Sequence, residues 1–347
     1  MKIAQVAPLA ESVPPKYYGG TERIVSYLTE ALVEMGHDVT LYASGDSVTK
    51  ARLRAMCPAA LRLDRQSVDP VADHVLLAER VFRDAHEFDL IHSHMDYLAY
   101  PLLRRIGVPH LTTLHGRLDI QNLRGLYREF EDIPVVSVSD SQRGPLPRAF
   151  WQGTVHHGIP EKLYAPCDRP GKYLAFIGRI SPEKRLDDAI LIAKHSGMPL
   201  KIAAKVDKVD HEYFETLIKP QLNEPFIEYI GEIGDAAKNE FLGNAYALLF
   251  PIDWPEPFGL VVIEAMACGT PVIARRRGSV PEILKDGVTG FIVNDTLEAV
   301  QAVSRISQLD RHECRREFER RFTASRMAAD YLEIYKNLSV PAGARSS

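Results

Sequence analysis

Residues 247–293, ALLFPIDWPEPFGLVVIEAMACGTPVIARRRGSVPEILKDGVTGFIV, decide the fold of this chain. Ala247–Ile252 is a short apolar run of the kind buried on both faces of a parallel sheet. Asp253–Pro257 breaks it, because two prolines withdraw ladder donors and disfavour helix in the residues before them. From Phe258 the pattern turns apolar and helical, and Gly269 supplies a C-terminal stop. Pro271–Ala274 begins another strand. The spacing therefore predicts a βαβ unit with a ligand-ready loop at the carboxyl end of its first strand.

Two carboxylates give this unit chemistry. Glu256 sits in the loop just before the helix, and Glu264 lies within it, flanked by Val261, Val262, Ile263, Ala265 and Met266. An ionised carboxylate on so apolar a helix is costly to bury unless it is paired or hydrogen-bonded. The backbone amides of Phe258, Gly259, Leu260 and Val261, preceded by Pro257, open the helix as an anion site aided by its dipole. Gly259 lets a phosphate approach closely. A ligand that satisfies all of this carries phosphates for the helix start and hydroxyls for both carboxylates, as a sugar nucleotide does. The plainer alternative is a buried helix with one satisfied glutamate and a loop glutamate in water.

Glu256, seven residues and Glu264, in the wording PEPFGLVVIEAMACGTPV, resemble the donor motif of retaining glycosyltransferases of family 4. The resemblance implies a GT-B fold: two doubly wound Rossmann-like α/β domains facing a central cleft, with a C-terminal helix crossing back to the first. It implies domains at 1–157 and 158–322, a returning helix at about 323–340 and a disordered tail at 341–347.

Composition agrees with a soluble two-domain protein. The 347 residues carry a formal net charge of −4, with no polybasic tract, so nucleic-acid binding is not indicated. Cys57, Cys167, Cys268 and Cys314 show no metal or disulfide spacing. The amino terminus opens straight into a strand, and no apolar run nears the roughly 20 residues of a membrane span. The expectation is a cytoplasmic protein with no strong membrane signal.

The first half alternates strands at Lys2–Pro8, Val39–Ala43, Leu90–His92, His110–Leu114, Val135–Ser139 and Thr154–His157 with helices at Thr21–Met35, Val71–Ala85 and Tyr97–Ile106. The first loop lacks the G-x-G-x-x-G turn of dinucleotide-binding folds and ends in Gly19–Gly20. By resemblance these glycines face the donor's phosphates and sugar; otherwise they merely permit a turn. His92 and His94 suggest a metal pair, but no third ligand is evident. His115 matches the histidine that the family places beside the reacting sugar; its alternative is a strand-end ring satisfied by backbone. Tyr17, Tyr18, Arg117 and Arg124 are acceptor-side candidates.

In the second half, strands fall at Tyr173–Ile177, Leu200–Val206 and Ile227–Ile230, and helices at Asp235–Ala245, Leu297–Gln308, His312–Phe322 and Met327–Leu338. Arg179 and Lys184, in GRISPEKR, resemble the family's diphosphate clamp. Fixed cations stabilise the charge that a departing nucleoside diphosphate gains. Arg185 stands where glycine is frequent. Lys205 and the loop at Ile233 are candidates to meet the base. His157–Gly158 replaces the usual Asn-Gly of the linker, and Ser279 replaces the second of two glycines after Arg275–Arg277.

The resemblance implies a retaining hexosyltransferase using a nucleoside diphosphate sugar, UDP-sugar first and GDP-sugar next, with an unidentified hydroxyl acceptor and no cofactor or metal. Catalytic roles fall to His115, Glu256, Arg179 and Lys184. The donor set adds Gly19, Gly20, Lys205, Ile233, Pro257, Phe258, Gly259, Leu260, Val261 and Glu264. A sugar-nucleotide epimerase, a phosphorylase and a non-enzymatic sugar-nucleotide-binding module are the rival readings.

Overall fold

The computed structural model describes residues 1–16, 19–62, 69–169 and 171–339, so Tyr17 and Tyr18 lie outside the described residues. The chain divides into two compact units, Met1–Pro160 with the segment from Ala324 on, and Glu161–Thr323.

Unit 1 is built on strands β1 (Lys2–Val6), β2 (Asp38–Ala43), β3 (Arg52–Ala55), β4 (Leu90–Ser93), β5 (His110–Thr113), β6 (Pro134–Ser137) and β7 (Phe150–Thr154). Its helices are α1 (Gly20–Glu34), α2 (Pro70–Asp84), α3 (Tyr100–Leu103) and α4 (Arg124–Glu129). The seven strands form a sheet ordered β3-β2-β1-β4-β5-β6-β7, parallel at every pairing. Strand order reverses between β1 and β4, which makes the carboxyl ends of these two strands the natural ligand position. The α1 helix buries Ile24, Val25, Leu28 and Leu32, each fully removed from solvent and each contributing about 1.5–3 kcal/mol. The α2 helix starts with Pro70 behind an Asp69 cap that accepts from the Val71 amide at 3.1 Å.

Unit 2 repeats the plan with β8 (Leu174–Arg179), β9 (Leu200–Lys205), β10 (Ile227–Gly231), β11 (Ala247–Phe250), β12 (Val272–Arg275) and β13 (Gly290–Val293). Its helices are α5 (Leu186–Ser196), α6 (His211–Tyr213), α7 (Asp235–Gly243), α8 (Leu260–Ala267), α9 (Val280–Ile283), α10 (Thr296–Arg305) and α11 (Arg311–Arg321). The parallel order is β10-β9-β8-β11-β12-β13, with the reversal between β8 and β11. The last helix, α12 (Ala324–Ser339), belongs to unit 1 and packs on α1, burying Tyr331 and Tyr335 completely.

Several boundaries differ from the sequence reading. The helix expected over Tyr97–Ile106 shrinks to Tyr100–Leu103. The strand expected at Thr154–His157 is instead Phe150–Thr154, where Trp151 packs against the core. Strand β3 and helix α4 were not anticipated, since Arg52–Ala55 and Arg124–Glu129 carry too few apolar residues to show a period.

Arg185, at the start of α5, is left-handed (φ 54°, ψ 52°), which explains why glycine suits that position. Its guanidinium spans both Asp188 oxygens at 3.0 Å, and Arg275 reaches the same carboxylate at 2.8 Å. Arg185→Ala keeps the backbone strain and loses the pairing, whereas Arg185→Gly relieves the strain. The glycine variant should be the more stable by roughly 1 kcal/mol, measured by urea unfolding; equal midpoints would contradict the strain.

Candidate functional site

In unit 2 the switch point gathers β8, the Glu183–Arg185 turn, the loop after β11 and the start of α8. The helix begins two residues later than the sequence suggested, at Leu260, because Gly259 takes a left-handed conformation (φ +87°). A Cβ there would stand 3.1 Å from the Phe250 ring, so the turn needs glycine. The amides of Leu260 and Val261 lie in the first turn, where a helix has no intrahelical acceptors and its dipole is positive.

Glu264 is 2% exposed. Lys238 of α7 donates to its Oε1 at 2.8 Å, and the Tyr164 hydroxyl lies 3.4 Å from the same oxygen. The partner that burial demands is thus supplied by the neighbouring helix, and Asp235 joins the group 3.5 Å from Lys238. Ile233 is two residues before Asp235, so its loop leads into this cluster. Lys238 and Tyr164 were missed, because nothing local in sequence ties them to Glu264.

Glu256 pairs directly with Lys184, and both side chains are largely buried. The Lys184 ammonium also stands 5.1 Å from the centre of the Trp254 ring and 5.7 Å from that of Phe250. The arginine-rich loop after β12 forms the seat of Glu256. Gly278 (φ +50°) lies so close that a Cβ would stand 2.4 Å from the Glu256 carbonyl oxygen. Ser279 donates its amide to that carbonyl at 3.1 Å and its hydroxyl to the Phe258 carbonyl at 2.6 Å. Arg277 reaches Asp253 at 3.2 Å, in the same loop as Glu256.

Arg179 is not a free cation. Glu183 lies 2.8 Å away, Asp210 3.4 Å and Asp207 3.8 Å. Lys205 is drawn into this cluster by Asp207 at 3.0 Å. Desolvation raises the Asp210 carboxyl, against the Arg179 charge, which lowers it.

In unit 1, Gly19 (φ +152°) precedes Gly20 at the start of α1, and a Cβ on Gly19 would stand 2.8 Å from Pro15. Next to them, burial pushes the Glu22 carboxyl up to about 7. The sequence reading did not single it out. Arg117 is held by Asp119 at 2.8 and 2.9 Å, and Arg124 opens α4.

His115 follows β5. Its amide donates to Asp96 at 3.4 Å, its ring bonds His94 at 2.9 Å and stacks on His157 at 5.3 Å. His157, in the stretch read as linker, is also part of the surroundings of His115. His92 and His94 spend their ring nitrogens on protein partners. Burial keeps His92, His94 and His157 well below the usual imidazole range and His115 at about 3. The Asp96 carboxyl is pushed up to about 6 by burial. Among the described residues no group of three or more side chains could hold a metal ion, and no helix is long and apolar enough to cross a membrane.

Two family descriptions match the chain: glycosyl transferases group 1 over residues 167–324, and glycosyltransferase family 4 over residues 18–152. The phosphatidyl-myo-inositol mannosyltransferase of Mycolicibacterium smegmatis is 25% identical, over 98% of this chain and 94% of its own. An uncharacterised protein of the Klebsiella pneumoniae cps region is 28% identical over 47% of this chain, which spans less than half (46%) of that relative. Among solved structures, AviGT4, a glycosyltransferase of avilamycin A biosynthesis, superposes with a TM-score of 0.76 at 26% identity, over 99% of both chains. Anabaena HepE, solved with UDP and glucose, has a TM-score of 0.74 at 19% identity, covering 97% of this chain and 100% of its own. These neighbours share the two parallel-sheet units of the GT-B fold.

Two outcomes follow from the packing and the charges. Gly278→Ala forces its Cβ into the Glu256 backbone and should cost about 2 kcal/mol, lowering Tm by about 4–8 °C. Gly287→Ala, also at positive φ but facing open space, should cost clearly less; equal shifts in calorimetry would refute the seat. For pH, the four histidines are neutral when folded. Below their ordinary value near 6.5 the unfolded chain takes up protons that the fold refuses, so stability falls as pH drops. Asp96 and Glu22, raised on folding, act oppositely: their contribution is full at low pH and is lost as pH rises through about 6 and 7. Four groups outweigh two, so Tm should fall from pH 7 to pH 5. A flat or rising Tm would contradict the neutral cluster.

Proposed function

The chain belongs to the family 4 glycosyltransferases with the GT-B fold, and from that premise we propose that it moves a hexose from a nucleoside diphosphate sugar to a hydroxyl acceptor with retention of configuration. The observation that carries the donor assignment is the pairing of Glu256 with Lys184 and of Glu264 with Lys238 around the start of α8. Glu264 is assigned the ribose hydroxyls, and Glu256 the hydroxyls of the hexose. Lys184, Arg179 and the first-turn amides of α8 are assigned the diphosphate. His115 is assigned a contact with the hexose. UDP is placed first among the bases and GDP second. The four cysteines carry free thiols, which supports a cytoplasmic setting.

In the proposed step the acceptor oxygen approaches the anomeric carbon from the face that the diphosphate leaves. The bond from that carbon to the phosphate oxygen breaks, a bond to the acceptor oxygen forms, and the acceptor's proton passes to the departing phosphate. Charge grows on the leaving diphosphate, and a cation fixed beforehand stabilises it without reorganising. Lys184 is the strongest candidate, because one carboxylate competes for it against three for Arg179. These cations and the helix dipole stand in for a metal.

The test is turnover. Thermal shift with UDP-, GDP- and ADP-hexoses identifies the donor, since ligand at 100 times its Kd adds about 2.7 kcal/mol. With that donor, Glu256→Ala and Lys184→Ala should each lower kcat for nucleoside diphosphate release about 100-fold or more, with folded circular dichroism spectra. Chelation by EDTA should leave the wild-type rate unchanged. Wild-type rates from both variants would remove the proposed roles, and loss of activity in EDTA would remove metal independence.

A further inference from the structure

A continuous chain of hydrogen bonds runs through unit 1 from α12 to His115. The Tyr331 hydroxyl is 2.8 Å from Thr113 Oγ1, which is 2.7 Å from His92 Nε2. His92 Nδ1 is 2.6 Å from the Tyr335 hydroxyl, and that hydroxyl accepts from Gln5 Nε2 at 3.2 Å. Gln5 Oε1 lies 2.8 Å from His94 Nε2, and His94 Nδ1 2.9 Å from His115 Nε2. Gln5, His92, Thr113, Tyr331 and Tyr335 are fully buried and His94 is 2% exposed. Stability alone gives little reason for such a network, since apolar packing of the same volume serves as well or better. The functional assignments above also leave it unused.

We infer that Gln5, His94 and Tyr335 are positioning residues that fix the tautomer of His115, so that the transferred sugar meets the unprotonated Nδ1 of that ring. The contact with the sugar rests on the role proposed for His115; the tautomer does not.

The directions follow from what each group can give. The Gln5 carbonyl only accepts, so His94 must carry its proton on Nε2. A neutral imidazole has one N–H, which leaves His94 Nδ1 as an acceptor. His115 Nε2 therefore donates to it. Burial holds His115 neutral, so its single proton is spent on His94, and Nδ1, the nitrogen outside the chain, keeps its lone pair. The Gln5 amide is anchored at its other end, because its nitrogen donates to Tyr335, whose own proton goes to His92 Nδ1. Turning the amide over would reverse every link from His115 to Thr113 together. Chains of this kind polarise cooperatively. The consequence is specificity: a bare nitrogen accepts from a sugar hydroxyl and repels a carboxylate in the same place.

The tautomer is read directly by long-range 1H–15N correlation on the full chain labelled with 15N-histidine, with His115 assigned by its absence in His115→Gln. The wild type should show a single form protonated at Nε2. Gln5→Met and Tyr335→Phe each release the amide anchor. In either, the Nδ1-protonated form should rise to a comparable population, and kcat should fall about 10-fold. Gln5→Glu still accepts from His94 and should restore the Nε2 form. Proton on Nδ1 in the wild type overturns the inference. So does an unchanged single tautomer in whichever of Gln5→Met and Tyr335→Phe folds. A His115→Gln enzyme turning over at the wild-type rate overturns the sugar contact and the role proposed for His115, while leaving the tautomer assignment to stand on the spectra.

Discussion

Two glutamates on one apolar βαβ unit, each paired with a lysine, set the terms for unit 2. Neither can sit there without a cation, and the fold supplies one to each from a different element: Lys184 from the turn after β8, Lys238 from α7. Removing one partner of a buried pair typically costs 3–5 kcal/mol, because the other charge is stranded. The parts that must agree are therefore distant in sequence, and the parallel sheet brings them to one end through its β8–β11 reversal. The loop of Arg275–Ser279 completes the arrangement by clamping the backbone of Glu256.

The residues singled out in the two units handle buried polarity in different ways. Unit 2 pairs full charges. Unit 1 keeps four imidazoles neutral and links three of them through amide and hydroxyl groups into α12. This difference suits the proposed transfer, in which charge would develop on the diphosphate, where fixed cations help, while sugar hydroxyls would be read by neutral donors and acceptors of settled direction. The α12 helix is more than a structural strap, since its tyrosines enter the hydrogen-bond network that ends at His115.

What the sequence disclosed and what it hid divide along a physical line. Period and punctuation are local, so the strand–helix–strand of 247–274 was legible, as were α1 and most of the alternation around it, whereas the short helix Val280–Ile283 was not. Elements with little apolar periodicity, Arg52–Ala55 and Arg124–Glu129, were invisible for the same reason. Glu256, Glu264, Arg179 and Lys184 stood out by motif, yet the partners of Glu264 and Arg179 did not. Lys238 and Tyr164 meet Glu264 only through the packing of α7 and the segment before β8. Arg179 read as part of a diphosphate clamp, and the carboxylates of Glu183, Asp207 and Asp210 that ring it were not foreseen. His157 read as linker and stacks on His115. Such pairings depend on tertiary approach, which no spacing rule encodes.

The central claim is that the charged cluster at the start of α8 binds a nucleoside diphosphate sugar, and crystals soaked with a UDP-hexose test it most directly. The expected density has ribose hydroxyls on Glu264, phosphate oxygens at the amides of Leu260 and Val261 with Lys184 beside them, and hexose hydroxyls on Glu256. An empty site at saturating nucleotide sugar, or the nucleotide bound elsewhere on the chain, would contradict it.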